Sequence, residues 1–196
     1  CVWRDYPPCD PRFALLDPAR TQTLSRRALI FQGFSALAGA MEEYLTLADG
    51  MDVSRELLEA LMGGMVRALR VCQKAPGSWA ARSDLMWRCA LWGSRFFQLG
   101  RRFSFPALPV REAAILSASD WEEYAGALAV LLLSLCRRET QRRPAAMARL
   151  ALSGAADLAA FLDELSLPAK PGQLDAVVLG RLERIPSAQN LLVYTA

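Results

Sequence analysis

The side chains in this sequence best suited to chemistry are carboxylates and thiols. Glu42 and Glu43 stand side by side in "AMEEYL", and Asp120, Glu122 and Glu123 share "DWEE". Such oxygens can hold a hard cation. No further oxygen ligand follows at a fixed spacing, so the expectation is that both groups are polar helix ends in water. Cys1, Cys9, Cys72, Cys89 and Cys136 are odd in number and form no CxxC pair. The last three fall inside apolar helical patterns, which points to buried, reduced thiols in a cytoplasmic protein. The chain contains no histidine. The usual zinc and iron sites, and triads of the Ser-His-Asp type, therefore cannot be built from it. Neither GxGxxG nor GxxxxGK[ST] occurs, so no phosphate-cradling turn is visible. The glycine pair in "LMGGM" (61–65) follows no strand and reads as a place of close helix contact. Asp120 and Tyr124, one helical turn apart, could act as an acid/base and a hydroxyl donor. The plainer reading is that Tyr124 fills space. With Trp87, Trp92 and Trp121 these two are the candidate lining of a pocket.

These residues must be positioned by helices. The chain of 196 residues is 53% hydrophobic and 22% charged, the balance of a globular chain with a sizeable core. Net charge is +3, carried by 21 Arg and 2 Lys against 20 acidic residues. The one dense basic cluster, "CRRETQRR" (136–143), reads as a solvated helix end that complements the helix dipole. No nucleic-acid partner is expected. The longest apolar run, "AGALAVLLLSLC" (125–136), is too short to cross a bilayer and ends in arginines, so it reads as a buried core helix and no membrane partner is expected. A chain that begins at Cys1 rather than Met reads as processed or truncated.

Residues 1–18 read as an extended lead-in, with Pro7, Pro8 and Pro11 and a short strand in "RFALLD" (12–17). Residues 19–196 read as a single helical domain. Thr23 is the expected cap of a first helix from Leu24 whose apolar stripe is Phe34, Leu37, Met41 and Leu45. "ADGMD" (48–52) reads as a turn. Ser54 is expected to cap a second helix with Leu58, Leu61, Met62, Met65, Leu69 and Cys72 at helical spacing. Further helices are expected over 78–99 with Gly100 as a stop, over 110–116, over 120–137 with Ser117 or Ser119 as cap, from Pro144 to about Ser153, and near 155–165 and 173–184. "FSFPALP" (103–109) reads as a loop. The fold class is all-α, a multi-helix bundle behind a short extended segment.

Several stretches, in order, resemble one family. "PRFALLDPARTQTLSRRALIFQGFSALAGAMEEYLT" carries Leu16-Asp17-Pro18, Thr21, Thr23-Leu24 and Glu42-Glu43-Tyr44. Arg82, Met86 and Trp87 match "R-x-x-x-M-W", and "YAGALAVLLLSLC" (124–136) and "FLDELSLP" (161–168) follow, the latter against "F-x-x-x-L-G-[VL]-P". Together they resemble the C-terminal helical domain of the iron-dependent (group III) alcohol dehydrogenases, in the subgroup of NADPH-dependent butanol dehydrogenases and aldehyde reductases, with its dehydroquinate synthase-like fold. The resemblance implies a divalent metal held by an Asp and three His, two of them as Asp-x-x-x-His on one helix face. It puts those ligands at Ser35, Gly39, Val110 and Tyr124, and a further family His at Asp120. Every ligand position has lost its ligand. The family's dinucleotide-binding half has no counterpart in these residues.

The function implied is that of a degenerate alcohol dehydrogenase-like helical domain. It is expected to be non-catalytic alone, to hold no metal or dinucleotide cofactor, and to act in assembly as a homo-oligomer or with a dehydrogenase-like partner chain. Two alternatives stand beside it: one part of a divergent or split NAD(P)-dependent oxidoreductase, and small-molecule binding in the vacated metal cleft. Fold alone does not choose among them.

Overall fold

The computed structural model describes residues 13–47, 51–94, 96–98 and 109–195. All regular structure among them is helical. The lead-in prolines, residues 48–50 of the expected turn, the Gly100 stop and residues 103–108 of the proline loop lie outside the described residues, as do Cys1 and Cys9.

Residues 13–17 carry no regular structure where a short strand was expected. Asp17 instead accepts the Ala19 N–H at 2.9 Å and opens a 3-10 turn over Pro18–Thr23. That turn also moves the first cap. Thr23 spends its hydroxyl on the Arg20 carbonyl at 3.0 Å, and Ser25 caps α1 (Arg26–Thr46) by accepting from Ala28. α2 (Asp52–Lys74) starts ahead of Ser54, with no side-chain cap, and buries its whole expected stripe. α3 (Trp79–Gly93) is capped by Ser78 and stops at Gly93, short of 99. Ser94 donates to the Leu91 carbonyl at 2.6 Å there, and a 3-10 turn follows over Phe96–Gln98.

α4 (Pro109–Ser117) leads into α5 (Trp121–Arg142). The cap of α5 is Asp120, whose carboxylate accepts two N–H groups, from Glu122 and Glu123, both at 2.9 Å. Ser117 instead ends α4, where its hydroxyl donates to the Ala114 carbonyl at 3.0 Å. α6 (Pro144–Ala148) has proline in its first turn and is shorter than expected. α7 (Ala155–Glu164) follows. Beyond it, the helix expected at 173–184 is shorter, a 3-10 turn (Pro171–Gln173) followed by α8 (Ala176–Leu182), and a further helix that was not expected, α9 (Pro186–Leu192), opens on Pro186, which suits a first turn.

α5 is the shaft of the bundle. Every residue from Tyr124 to Cys136 is buried, and α1, α4, α6, α7, α8 and α9 all pack on it. α1 lies against α5, α2, α3 and α4, and all its residues from Leu29 to Leu45 except Gln32 are buried. A helix apolar on all sides belongs in a core. The expected single stripe on α1 is thus only part of its buried surface. Of the glycine pair of α2, Gly64 meets α3, where the space its Cβ would take holds the Arg88 guanidinium, while Gly63 lies near Ala151. The arginine-rich end of α5 is not simply solvated. Glu139, buried there, accepts from Arg138 at 2.9 Å and Arg143 at 2.8 Å, and Arg143 also reaches the Leu45 carbonyl at the end of α1. Cys72 and Cys136 are buried and Cys89 half-buried. Burial pushes the Cys89 and Cys136 thiols up to about 12. Such thiols are inert. No described helix is long and apolar enough to cross a membrane.

Candidate functional site

Three elements meet one face of α1. At Ser35, the hydroxyl lies 2.9 Å from the Tyr124 hydroxyl on the first turn of α5. One helical turn on, at Gly39, the space for a Cβ is taken by the indole of Trp92 from α3, and Arg111 Nη1 of α4 stands 3.2 Å from that same point. Three residues further, Glu42 accepts the Val110 N–H at 2.7 Å and the Arg111 N–H at 3.3 Å. Positions three and four apart on a helix share a face. Ser35, Gly39, Val110 and Tyr124, far apart in sequence, are thereby gathered along one seam.

The carboxylates on this face are not in water, which corrects the expectation for Glu42 and Glu43. They are 2% and 1% exposed. Each has an assigned partner. Glu42 serves as the cap of α4, where the first turn's N–H groups and the dipole favour an anion. Glu43 accepts the Trp92 indole N–H at 3.1 Å. Burial pushes the Glu42 carboxyl up to about 7, against the pull of the Val110 and Arg111 N–H groups and the Arg111 charge. The Arg111 guanidinium sits 4.9 Å over the Trp92 ring, a cation–π contact. The chain's own cation therefore stands beside Gly39.

A divalent cation does not fit here. Ser35 and Tyr124 bond each other, Gly39 and Val110 offer no ligand atom, and the Glu42 and Glu43 oxygens hold N–H donors. Among the described residues no three His, Cys, Asp or Glu side chains come together to hold a metal.

Outside this seam lies a cleft of about 370 Å³ between α4 and the start of α5, lined by Arg111, Ile115, Ala118, Ser119, Asp120, Trp121 and Tyr124. Trp121 stands edge-on to Tyr124 at 5.6 Å and is 63% exposed. The candidate pocket residues thus separate. Asp120, Trp121 and Tyr124 share this cleft. Trp92 lies half-buried beneath Arg111. Trp87 is exposed on a second groove, with Ala14, Leu16, Leu61 and Leu91. Asp120 faces the cleft with its carboxylate engaged as a helix cap. The sequence reading missed Arg111 and Ser119. A lone arginine opening an apolar helix, "PVREAAIL", was the available signal for the first. No protein-family model and no curated protein matches this chain.

Proposed function

We propose that this chain is a non-catalytic relative of the helical domain of iron-dependent alcohol dehydrogenases, working by association with a second copy or with a dehydrogenase-like chain. One observation carries the reading. The four positions that the resemblance assigns to metal ligands lie along one seam of α1 and hold no Asp or His, with the two hydroxyls bonded to each other and the space at Gly39 filled by Trp92. A second feature supports it. Ser166, which stands where the family pattern has glycine, takes the left-handed conformation with φ 59°, a backbone state that suits glycine. The role in association is supported by apolar side chains left in water on the lead-in and α3: Phe13 at 81% exposure, Leu15 at 90% and Trp87 at 58%.

The test restores the ligands. A variant with Ser35→Asp, Gly39→His, Val110→His and Tyr124→His, plus Trp92→Ala to clear space, should bind cobalt(II) with the visible absorption of a protein-held ion. The unchanged chain should not. A folded variant, by circular dichroism, that binds no cobalt breaks the alignment on which the reading rests. The two-ligand variant Ser35→Asp with Tyr124→His, which disturbs less, should bind weakly. Sedimentation velocity tests association: a chain that stays monomeric at tens of micromolar (on the order of ordinary weak dimers) and retains no dehydrogenase partner removes the assembly role.

A further inference from the structure

We propose that the cleft between α4 and the N-terminus of α5 binds a small, neutral aromatic molecule bearing one hydrogen-bond acceptor, received by the Tyr124 hydroxyl. The inference does not rest on the dehydrogenase resemblance.

The hydroxyl pair has one proton more than its bond uses. Ser35 and Tyr124 each carry one O–H. One bond joins them, at 2.9 Å, and it uses one proton. The other has no acceptor among the described residues. Both residues are more than nine-tenths buried, at 6% and 7% exposure, and a buried donor normally finds a partner. Tyr124 lines the cleft. When Ser35 donates to Tyr124, the spare proton is the phenolic one, available to an acceptor in the cleft. A chain of this kind strengthens each of its bonds.

Ile115, Ala118 and the Trp121 and Tyr124 rings make an apolar surface, and Trp121 is mostly in water without a ligand. A flat aromatic body covers that indole and adds a ring contact. Charge points the same way. The Arg111 guanidinium is stacked over Trp92 and stands close enough to Glu42 to draw its carboxyl down. Both charged side chains at the cleft therefore already have contacts within the protein, Arg111 with the Trp92 ring and Asp120 with two N–H groups. The volume, at the small end of ligand pockets, suits one or two fused rings.

Quinoline, uncharged at neutral pH, is the probe, and naphthalene is its acceptor-free twin. In a titration of the isotope-labelled full chain followed by NMR, quinoline should shift the Trp121 indole and Tyr124 amide signals to saturation. Tyr124→Phe keeps the ring and removes the O–H. It should weaken quinoline by roughly tenfold, the worth of one hydrogen bond, and leave naphthalene unchanged. Ala118→Trp, which fills the cleft, should abolish both. Three results overturn the proposal: no saturable shift at Trp121 and Tyr124, equal effects of Tyr124→Phe on the two probes, or quinoline-2-carboxylate binding more tightly than quinoline. The last would make the cleft an anion site.

Discussion

Gly39 is where residue chemistry decides the most. It faces the edge of the Trp92 indole and the end of Arg111, so even one methyl group has nowhere to go. Overfilling a packed site typically costs about 1–3 kcal/mol. Gly39→Ala should lose that much in urea unfolding, although alanine favours a helix over glycine. Gly93→Ala, at a position with nothing within 4 Å, is the control and should be neutral or slightly stabilising. Combining Gly39→Ala with Trp92→Leu should cost less than the sum of the two single changes, because the shorter side chain vacates the contested space. Additive losses would show that Trp92 is not what makes glycine necessary. The small side of "FQGFSALAGA" was legible in the sequence as a face made for close approach. What approaches it was not. Glu42 and Glu43 were misread for a related reason: adjacent carboxylates on a helix are normally solvated. Their burial depends on α4 and α3 bringing N–H donors from residues 68 and 49 positions away.

At the scale of elements, sequence periodicity read most clearly where one stripe faces one neighbour. α2 shows this, with its six stripe residues buried as expected. It stopped short at the C-terminal end, where Pro186 opens α9 beyond the last expected helix. It could also have said more than was asked of it. Trp87 and Trp92 are five positions apart on α3, about 140° around a helix of 3.6 residues per turn, so they could not line one pocket. The end of α7 offers a prediction. The Leu167 N–H returns to the Leu162 carbonyl at 2.9 Å, and Ser166 turns the chain with φ 59°. That is the geometry of a glycine-terminated helix. A side chain in the left-handed region costs about 1–2 kcal/mol. Ser166→Gly should therefore stabilise the protein by about 1 kcal/mol, read as a higher denaturant midpoint with an unchanged slope. A loss of stability would mean that the serine side chain contributes a contact that outweighs its strain.

For the whole molecule, two buried carboxylates on the two central helices set opposing responses to pH. The folded Glu42 carboxyl is raised to about 7 from 4.5, chiefly by burial. Between those values the native state holds a proton that the unfolded chain releases, so stability falls as pH rises through this window. A shift of this size corresponds to about 3 kcal/mol. Glu139 runs the other way. Burial works to raise its carboxyl, but the hydrogen bonds from Arg143 and Arg138 outweigh it and hold it below 4.5. Its contribution is complete above that value and is lost as pH falls through the lowered one. Together they place the stability maximum on the acid side of neutral, near pH 5, and lower stability at pH 8. Glu42→Gln should flatten the decline between about pH 5 and pH 7 while leaving the acid limb in place. Glu139→Gln should remove the acid limb and also cost stability at neutral pH, since it leaves Arg138 and Arg143 without their carboxylate. Urea midpoints for the three proteins across this range decide the matter. A wild-type protein equally stable at pH 5 and pH 8, with the slope unaltered by Glu42→Gln, would show that the carboxyl capping α4 stays ionised throughout, and that the Arg111 charge and two N–H bonds are enough to offset its burial between α1 and α4.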